Sequence, residues 1–95
     1  MKVSVVVPVY NGEKTIRKAV DALLGQRLPH KEYEIIIVDD GSSDGTLEVL
    51  KNYGRSVRIV KAKRNGGPGK ARNLGLKEAR GEVVAFTDAD CVPDR

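Results

Sequence analysis

Asp88-Ala89-Asp90 sets two carboxylates at alternating positions of an extended segment, where both face the same way and can reach one cation. Ligands that are all oxygen suit Mg²⁺ or Mn²⁺, which keep positions open for water and for phosphates. A second acidic pair, Asp39-Asp40, follows directly on the apolar run Ile35–Val38. Carboxylates placed there are costly to bury unless something satisfies them. Composition leaves that pair open between a binding site and an acidic turn, since Asp and Ser are common turn residues; Asp44, five residues on, reads as a helix cap. The third feature is Lys63-Arg64-Asn65-Gly66-Gly67-Pro68-Gly69-Lys70. A Gly-rich loop that opens a helix offers free N–H groups and a partial positive charge to an anion. It is not a Walker A loop, which needs Gly at the position of Arg64 and Ser or Thr at that of Ala71. A dinucleotide fingerprint is excluded as well, because Arg72 stands where the third Gly belongs. Finally, Pro8-Val9-Tyr10-Asn11-Gly12 follows the first apolar run, and Asn11 reads as the cap of the next helix. Acidic and cationic groups converging on one place describe a metal-assisted site for a phosphorylated ligand.

Four β-branched runs alternate with three segments of helical period. Val3–Val9, Ile35–Val38 and Val83–Phe86 are almost continuously apolar, as strands buried on both faces of a parallel sheet are. Val57–Ala62 carries Arg58 and Lys61 and reads as an edge strand. Ile16, Ala19, Val20, Leu23 and Leu24 form one apolar helix stripe ending at Gly25. A second helix follows Asp44, turns Leu47, Leu50 and Tyr53 inward and stops at Gly54. The third runs from Pro68-Gly69 to Gly81 with Ala71, Leu74, Gly75 and Ala79 inward. The expected fold is α/β: an open parallel βαβαβαβ sheet, Rossmann-like, in strand order 3-2-1-4. Right-handed crossovers then gather all four motif loops on the rim at the strands' carboxyl ends, where open α/β sheets bind ligands.

Bulk properties narrow the classes. The chain has 95 residues, 40% hydrophobic and 32% charged, a single-domain globular composition. No apolar run approaches the roughly 20 residues of a membrane span. The N-terminus reads as a first strand and the lone Cys91 fits a reducing compartment, so a cytoplasmic location is expected. Net charge is +4, and from Lys51 to Arg80 ten basic residues face one acid, Glu78. With no Trp and one Phe, base stacking has little to work with, and nucleic acid is not the expected partner. His30 reads as a surface loop residue.

VSVVVPVYNGEKTI, YEIIIVDDGSSDGT and NGGPGKARNLGLKEARGEVVAFTDADCVPD, in this order and spacing, resemble the family 2 glycosyltransferases over essentially the whole chain. The resemblance implies a GT-A fold and inverting transfer of a sugar from a nucleoside diphosphate, often UDP, to an acceptor hydroxyl. It implies that Pro8, Tyr10 and Asn11 line the nucleoside pocket, that Asp39 bonds the base, and that Lys70 or Arg72 reaches the base or the phosphates. Asp88 and Ala89 would lie against the nucleotide, and Asp88 and Asp90 would hold the Mn²⁺ or Mg²⁺ that bridges the diphosphate. The catalytic base of that family lies downstream of the Asp-x-Asp motif, so none of these 95 residues is expected to be catalytic. Residues 1–95 are thus expected to be the donor-binding part of a GT-A domain cut short after Asp90, with the acceptor undetermined. The apolar fourth strand, left as an edge, would favour a homodimer. Two other readings are a signalling receiver domain that begins near Ile35, with Asp88 as phosphoacceptor, and a complete non-catalytic nucleotide-binding module.

Overall fold

The β-branched runs form the four strands β1 (Val3–Val9), β2 (Tyr33–Asp39), β3 (Arg58–Lys61) and β4 (Val83–Phe86). Between them lie the helices α1 (Ile16–Leu24), α2 (Thr46–Lys51) and α3 (Pro68–Glu78), with a 3₁₀ turn at Gly54–Ser56. The computed structural model describes residues 2–25, 32–63 and 66–87. The strands form one parallel sheet in the order β3-β2-β1-β4, the order expected of a Rossmann-like sheet. β1 is therefore central, with Val6 in register with Ile36 on one side and Phe86 on the other. A receiver beginning at Ile35 would discard this central strand, so the topology rules that reading out.

Alternation along β1 and β2 divides the core. Val7, Val9, Ile35 and Ile37 face the side covered by α1 and α2, together with Ile16, Val20, Leu23 and Leu50. Val6, Ile36 and Val38 face the other side, where they meet Ala71 of α3. Each fully buried aliphatic side chain contributes about 1.5–3 kcal/mol relative to an exposed one. α3 lies across β1 and β2 because it approaches on glycine: a Cβ on Gly75 would stand 2.3 Å from Val6 Cγ1 and 3.1 Å from Val38 Cγ2. Gly81 was expected to stop α3, yet the helix ends at Glu78 with Ala79 as its cap. Gly81 instead passes over β1, where a Cβ would stand 2.6 Å from Ser4 N.

β3 is one residue shorter at each end than the apolar run suggests. Val57 leaves the 3₁₀ turn buried among core residues, and Ala62 N still donates to Asp39 O at 2.8 Å. Tyr53 packs against the core as expected, while its hydroxyl donates to Asp21 Oδ1 of α1 at 2.8 Å; burial first and this bond second push its pKa up to about 12. β4 is largely exposed, with Val83 60% and Phe86 47% accessible, while Val84 is half-buried against the α3-side core. No helix among the described residues is long and apolar enough to cross a membrane.

The rim away from the strands' carboxyl ends is closed by one carboxylate. Glu34 receives bonds from Ser4 Oγ at 2.5 Å, Arg80 N at 2.7 Å and the Arg58 guanidinium at 3.0 Å. Arg58 also spans to Glu78 Oε2 at 2.9 Å, and Gly81 N donates back to Ser4 Oγ at 2.8 Å. Burial acts to raise the Glu34 pKa, but the bonds from Ser4, Arg80 and Arg58 outweigh it and hold the group below its ordinary 4.5. A depressed carboxylate stabilises the fold fully above the unfolded pKa and loses that contribution as pH falls through the folded one. Glu34→Gln should therefore cost about 1–3 kcal/mol at neutral pH. Urea denaturation across a pH series should show the gap to the wild type closing below 4.5. A gap independent of pH would contradict this account.

Candidate functional site

Parallel strands deliver their loops to one rim, and these loops carry backbone amides that no ladder bond satisfies. Side chains from neighbouring loops supply the acceptors. Asp40, 4% exposed, accepts from Gly66 N at 2.9 Å through Oδ1 and from Gly67 N at 2.9 Å through Oδ2. The carboxylate that follows β2 thus closes the loop that opens α3. The Gly-rich loop was read as offering free amides to an anion, but these two are already taken by the protein's own anion. Gly67, at φ 91°, is the residue before α3, a backbone conformation that favours glycine.

Asn11 does not cap α1. That helix begins at Ile16 behind Thr15, and no side chain caps it. Asn11 stands at φ +50° and turns its Oδ1 to the loop after β2, accepting from Ser43 N at 2.8 Å and Asp44 N at 3.3 Å. The second loop reciprocates: Ser42 Oγ accepts from Asn11 N at 2.8 Å and Thr46 Oγ1 from Gly12 N at 2.9 Å. The cap residue of α2 is Gly45 rather than the expected Asp44, which stands one residue earlier and accepts from Thr46 N at 3.0 Å and from the Thr46 hydroxyl. Asp44 also accepts from Glu13 N at 3.3 Å. The Thr46 hydroxyl is the main reason its pKa lies below the ordinary value. Ser42, Ser43 and Thr46 did not stand out in the sequence, where they read as generic turn residues. Their partner is thirty residues away, and only the adjacency of β1 and β2 brings them together.

Asp39 differs from its neighbour. It is 2% exposed and ends β2 beside Val9 of β1. Its Oδ2 accepts from Ser42 N at 3.3 Å, while Oδ1 is buried with no partner among the described residues. A buried polar atom left open costs about 1–3 kcal/mol, and such a group is where a ligand donor fits. Pro8 sits within β1 opposite Val38, and Tyr10 is exposed just beyond that strand. Lys70 joins Asp40, Lys63 and Gly66 around a groove of about 670 Å³, whereas Arg72, also exposed, lies outside its lining.

Asp88, Ala89 and Asp90 lie outside the described residues, as do Arg64, Asn65, His30 and Cys91. The last bond of the fourth strand, from Thr87 N to Val6 O at 3.1 Å, places position 87 beside β1. Among the described residues, no group of three or more His, Cys, Asp or Glu could hold a metal ion. The donor chemistry of Asp88 and Asp90, carboxylate oxygen alone, fits a hard divalent cation.

A model of glycosyl transferase family 2 matches residues 4–95. Poly(ribitol-phosphate) beta-glucosyltransferase of Bacillus spizizenii is 45% identical over 94 residues, which are 95% of this chain and 15% of that protein. Poly(ribitol-phosphate) beta-N-acetylglucosaminyltransferase TarS of Staphylococcus aureus is 43% identical over 93 residues, covering 95% and 16%. The chain therefore spans less than a fifth of the length of these two relatives. The structure of S. aureus TarS 1–349 in complex with UDP-GlcNAc superposes with a TM-score of 0.90 at 44% identity, over 95% of this chain and 27% of that one. The mannosyltransferase PcManGT from Pyrobaculum calidifontis, in complex with GDP-Man and Mn²⁺, superposes at 0.94 with 30% identity, over 99% and 29%.

Asp40→Asn keeps the volume but turns an N–H donor toward one of the two glycine amides. It should cost about 1.5–3 kcal/mol, the range for bonds to a charged group. Amide exchange at Gly66 and Gly67 should quicken more than at core strands; unchanged protection there would show that the carboxylate does not hold the loop.

Proposed function

The chain belongs to glycosyl transferase family 2, and on that premise we propose that it binds a nucleoside-diphosphate sugar, with UDP as the nucleotide. It forms the donor-binding part of an enzyme that passes the sugar, with inversion, to an acceptor hydroxyl. The observation that carries this reading is Asp39, whose buried Oδ1 lacks a partner at the rim where open α/β sheets bind ligands. An N–H on the base edge of a nucleotide supplies the missing donor. Pro8 and Tyr10 flank the base from β1, and Asn11 supports the pocket by fixing the loop after β2 rather than by presenting its own amide oxygen, which is occupied. Lys70 and Arg72 provide positive charge for the diphosphate. The relatives crystallised with UDP-GlcNAc and with GDP-Man and Mn²⁺ support a nucleotide-sugar donor and a divalent cation.

Asp88 and Asp90 would hold Mn²⁺ or Mg²⁺, with Ala89 between them against the nucleotide. A cation held there would supply Lewis-acid chemistry, offsetting negative charge on a diphosphate leaving group. The chain's own residues bind and orient the donor and set the loops, and none of the residues named here is assigned as the general base. The alternative of a complete binding module predicts the same nucleotide binding with no acceptor half.

One calorimetric series tests the reading. Asp39→Ala should weaken UDP by about tenfold, roughly the loss of one good hydrogen bond, and leave a ribose diphosphate without base nearly unchanged. Asp90→Asn should abolish the Mn²⁺ dependence of UDP binding. Equal losses for both ligands, or metal dependence that survives Asp90→Asn, would refute the respective assignment.

We further propose that the isolated chain self-associates through β4. Val83 and Phe86 of β4 are exposed, as is Leu76 of α3, and an apolar edge strand is a template for pairing. Light scattering should show dimers growing with concentration, and Val83→Lys should suppress them. A wild-type chain that stays monomeric at high concentration contradicts the proposal.

A further inference from the structure

Two glycine amides at the start of α3 that could hold a ligand anion are already committed. Gly66 N and Gly67 N each donate to Asp40 at 2.9 Å. The positive charge left at this corner of the rim is therefore a side chain. Lys70 lies in the first turn of α3, is exposed, and has no ion-pair partner among the described residues. Asp40 lines the same groove, yet its two oxygens are taken up by the amides and it forms no ion pair with the lysine. Lys70 keeps its charge for a ligand.

The course of the Lys70 side chain is set by what lies beneath it. Side chains of an α-helix lean toward its amino end and lie over the residue four positions earlier, and Gly66 stands four positions before Lys70. The lysine stem occupies the space that a side chain at position 66 would need. A Cβ there would stand 2.8 Å from Lys70 Cδ, 3.3 Å from Lys70 Cβ and 3.6 Å from Lys70 Cγ. Any larger residue pushes the stem aside. Gly66 is itself held in place by the Asp40 carboxylate, which is 4% exposed and anchored at the end of β2. One chain of contacts thus runs from the sheet through Asp40 and Gly66 to Lys70.

We propose that Asp40 and Gly66 are positioning residues for the donor's diphosphate. Asp40 sets the height of the loop, Gly66 leaves room for the lysine stem, and together they hold the Lys70 ammonium beside the phosphates while Asp39 holds the base. Neither Asp40 nor Gly66 touches the donor; both act through Lys70. The proposal rests on the reading of the chain as a segment that binds a nucleoside-diphosphate sugar. Because Asp39 and Asp40 are consecutive, the grip on the base and the grip on the phosphates are built on one strand end.

Calorimetry with UDP and with uridine, both in Mn²⁺, separates the two grips. Gly66→Ala keeps the amide that Asp40 holds but displaces the lysine. It should weaken UDP about fivefold, the upper range for an exposed charge pair, and leave uridine unchanged. Lys70→Gln should show the same loss. The double variant Gly66→Ala/Lys70→Gln should bind UDP no more weakly than Lys70→Gln alone, the non-additivity of residues that act through one contact. Asp40→Asn should repeat this pattern in both backgrounds, and it supplies the same cycle where Gly66→Ala does not fold. Lys77→Gln removes a charge from the same groove, two turns along α3 and about 10 Å from Lys70, and should leave UDP binding as it is. The proposal is overturned if the losses from Gly66→Ala and Lys70→Gln add, or if Gly66→Ala weakens uridine as much as UDP. It is equally overturned if Lys70→Gln costs UDP nothing, or if Lys77→Gln costs as much as Lys70→Gln. Failure of the donor reading looks different: the wild-type chain would bind neither UDP nor uridine.

Discussion

A parallel sheet ends all its strands at one rim, where the emerging loops expose amides that the ladder cannot satisfy. In this chain the acceptors for those amides come across the rim. Asp40 of the second loop closes the third at Gly66 and Gly67, and Asn11 of the first closes the second at Ser43 and Asp44. Ser42 and Thr46 return bonds to Asn11 N and Gly12 N. Three loops thereby become one surface.

The two adjacent aspartates show how one strand end serves two purposes. Side chains of consecutive residues in extended backbone point opposite ways. Asp40 satisfies both its oxygens on the protein, while Asp39 keeps one oxygen buried and open. Such an open group is tolerated in a native fold when a ligand completes it, at some cost in stability to the empty form. At the opposite rim Glu34 accepts from Ser4, Arg80 and Arg58, and it locks the amino ends of β1 and β2 to the segment that follows α3.

The placement of α3 links this frame to the basic groove. Gly75 lets the helix lie directly on Val6 and Val38, so the helix sits low over the sheet and its lysine-bearing flank forms a wall beside β3. A larger residue at that position would lift the helix and splay the groove. Leu76 of the same helix remains exposed.

The alternation of strands and helices, the parallel pairing and the rim that carries the loops were legible in the sequence, because continuous β-branched runs and one helical stripe encode burial locally, while the strand order followed from the likeness to Rossmann-like sheets. The glycosyltransferase motifs were legible too, since their order and spacing are linear properties of the chain. What a residue bonds to was not. Asn11 read as a cap because Asn suits that position within its own neighbourhood, yet its partners at Ser43 and Asp44 are more than thirty residues away. Asp40 stayed open between a binding site and its own turn, yet it holds amides twenty-six and twenty-seven residues downstream. Gly81 read as a helix stop and proved to be the place where the chain crosses β1. Burial preference is written into each residue, but hydrogen-bond partnership depends on which loops the sheet makes neighbours, and only the tertiary structure decides that.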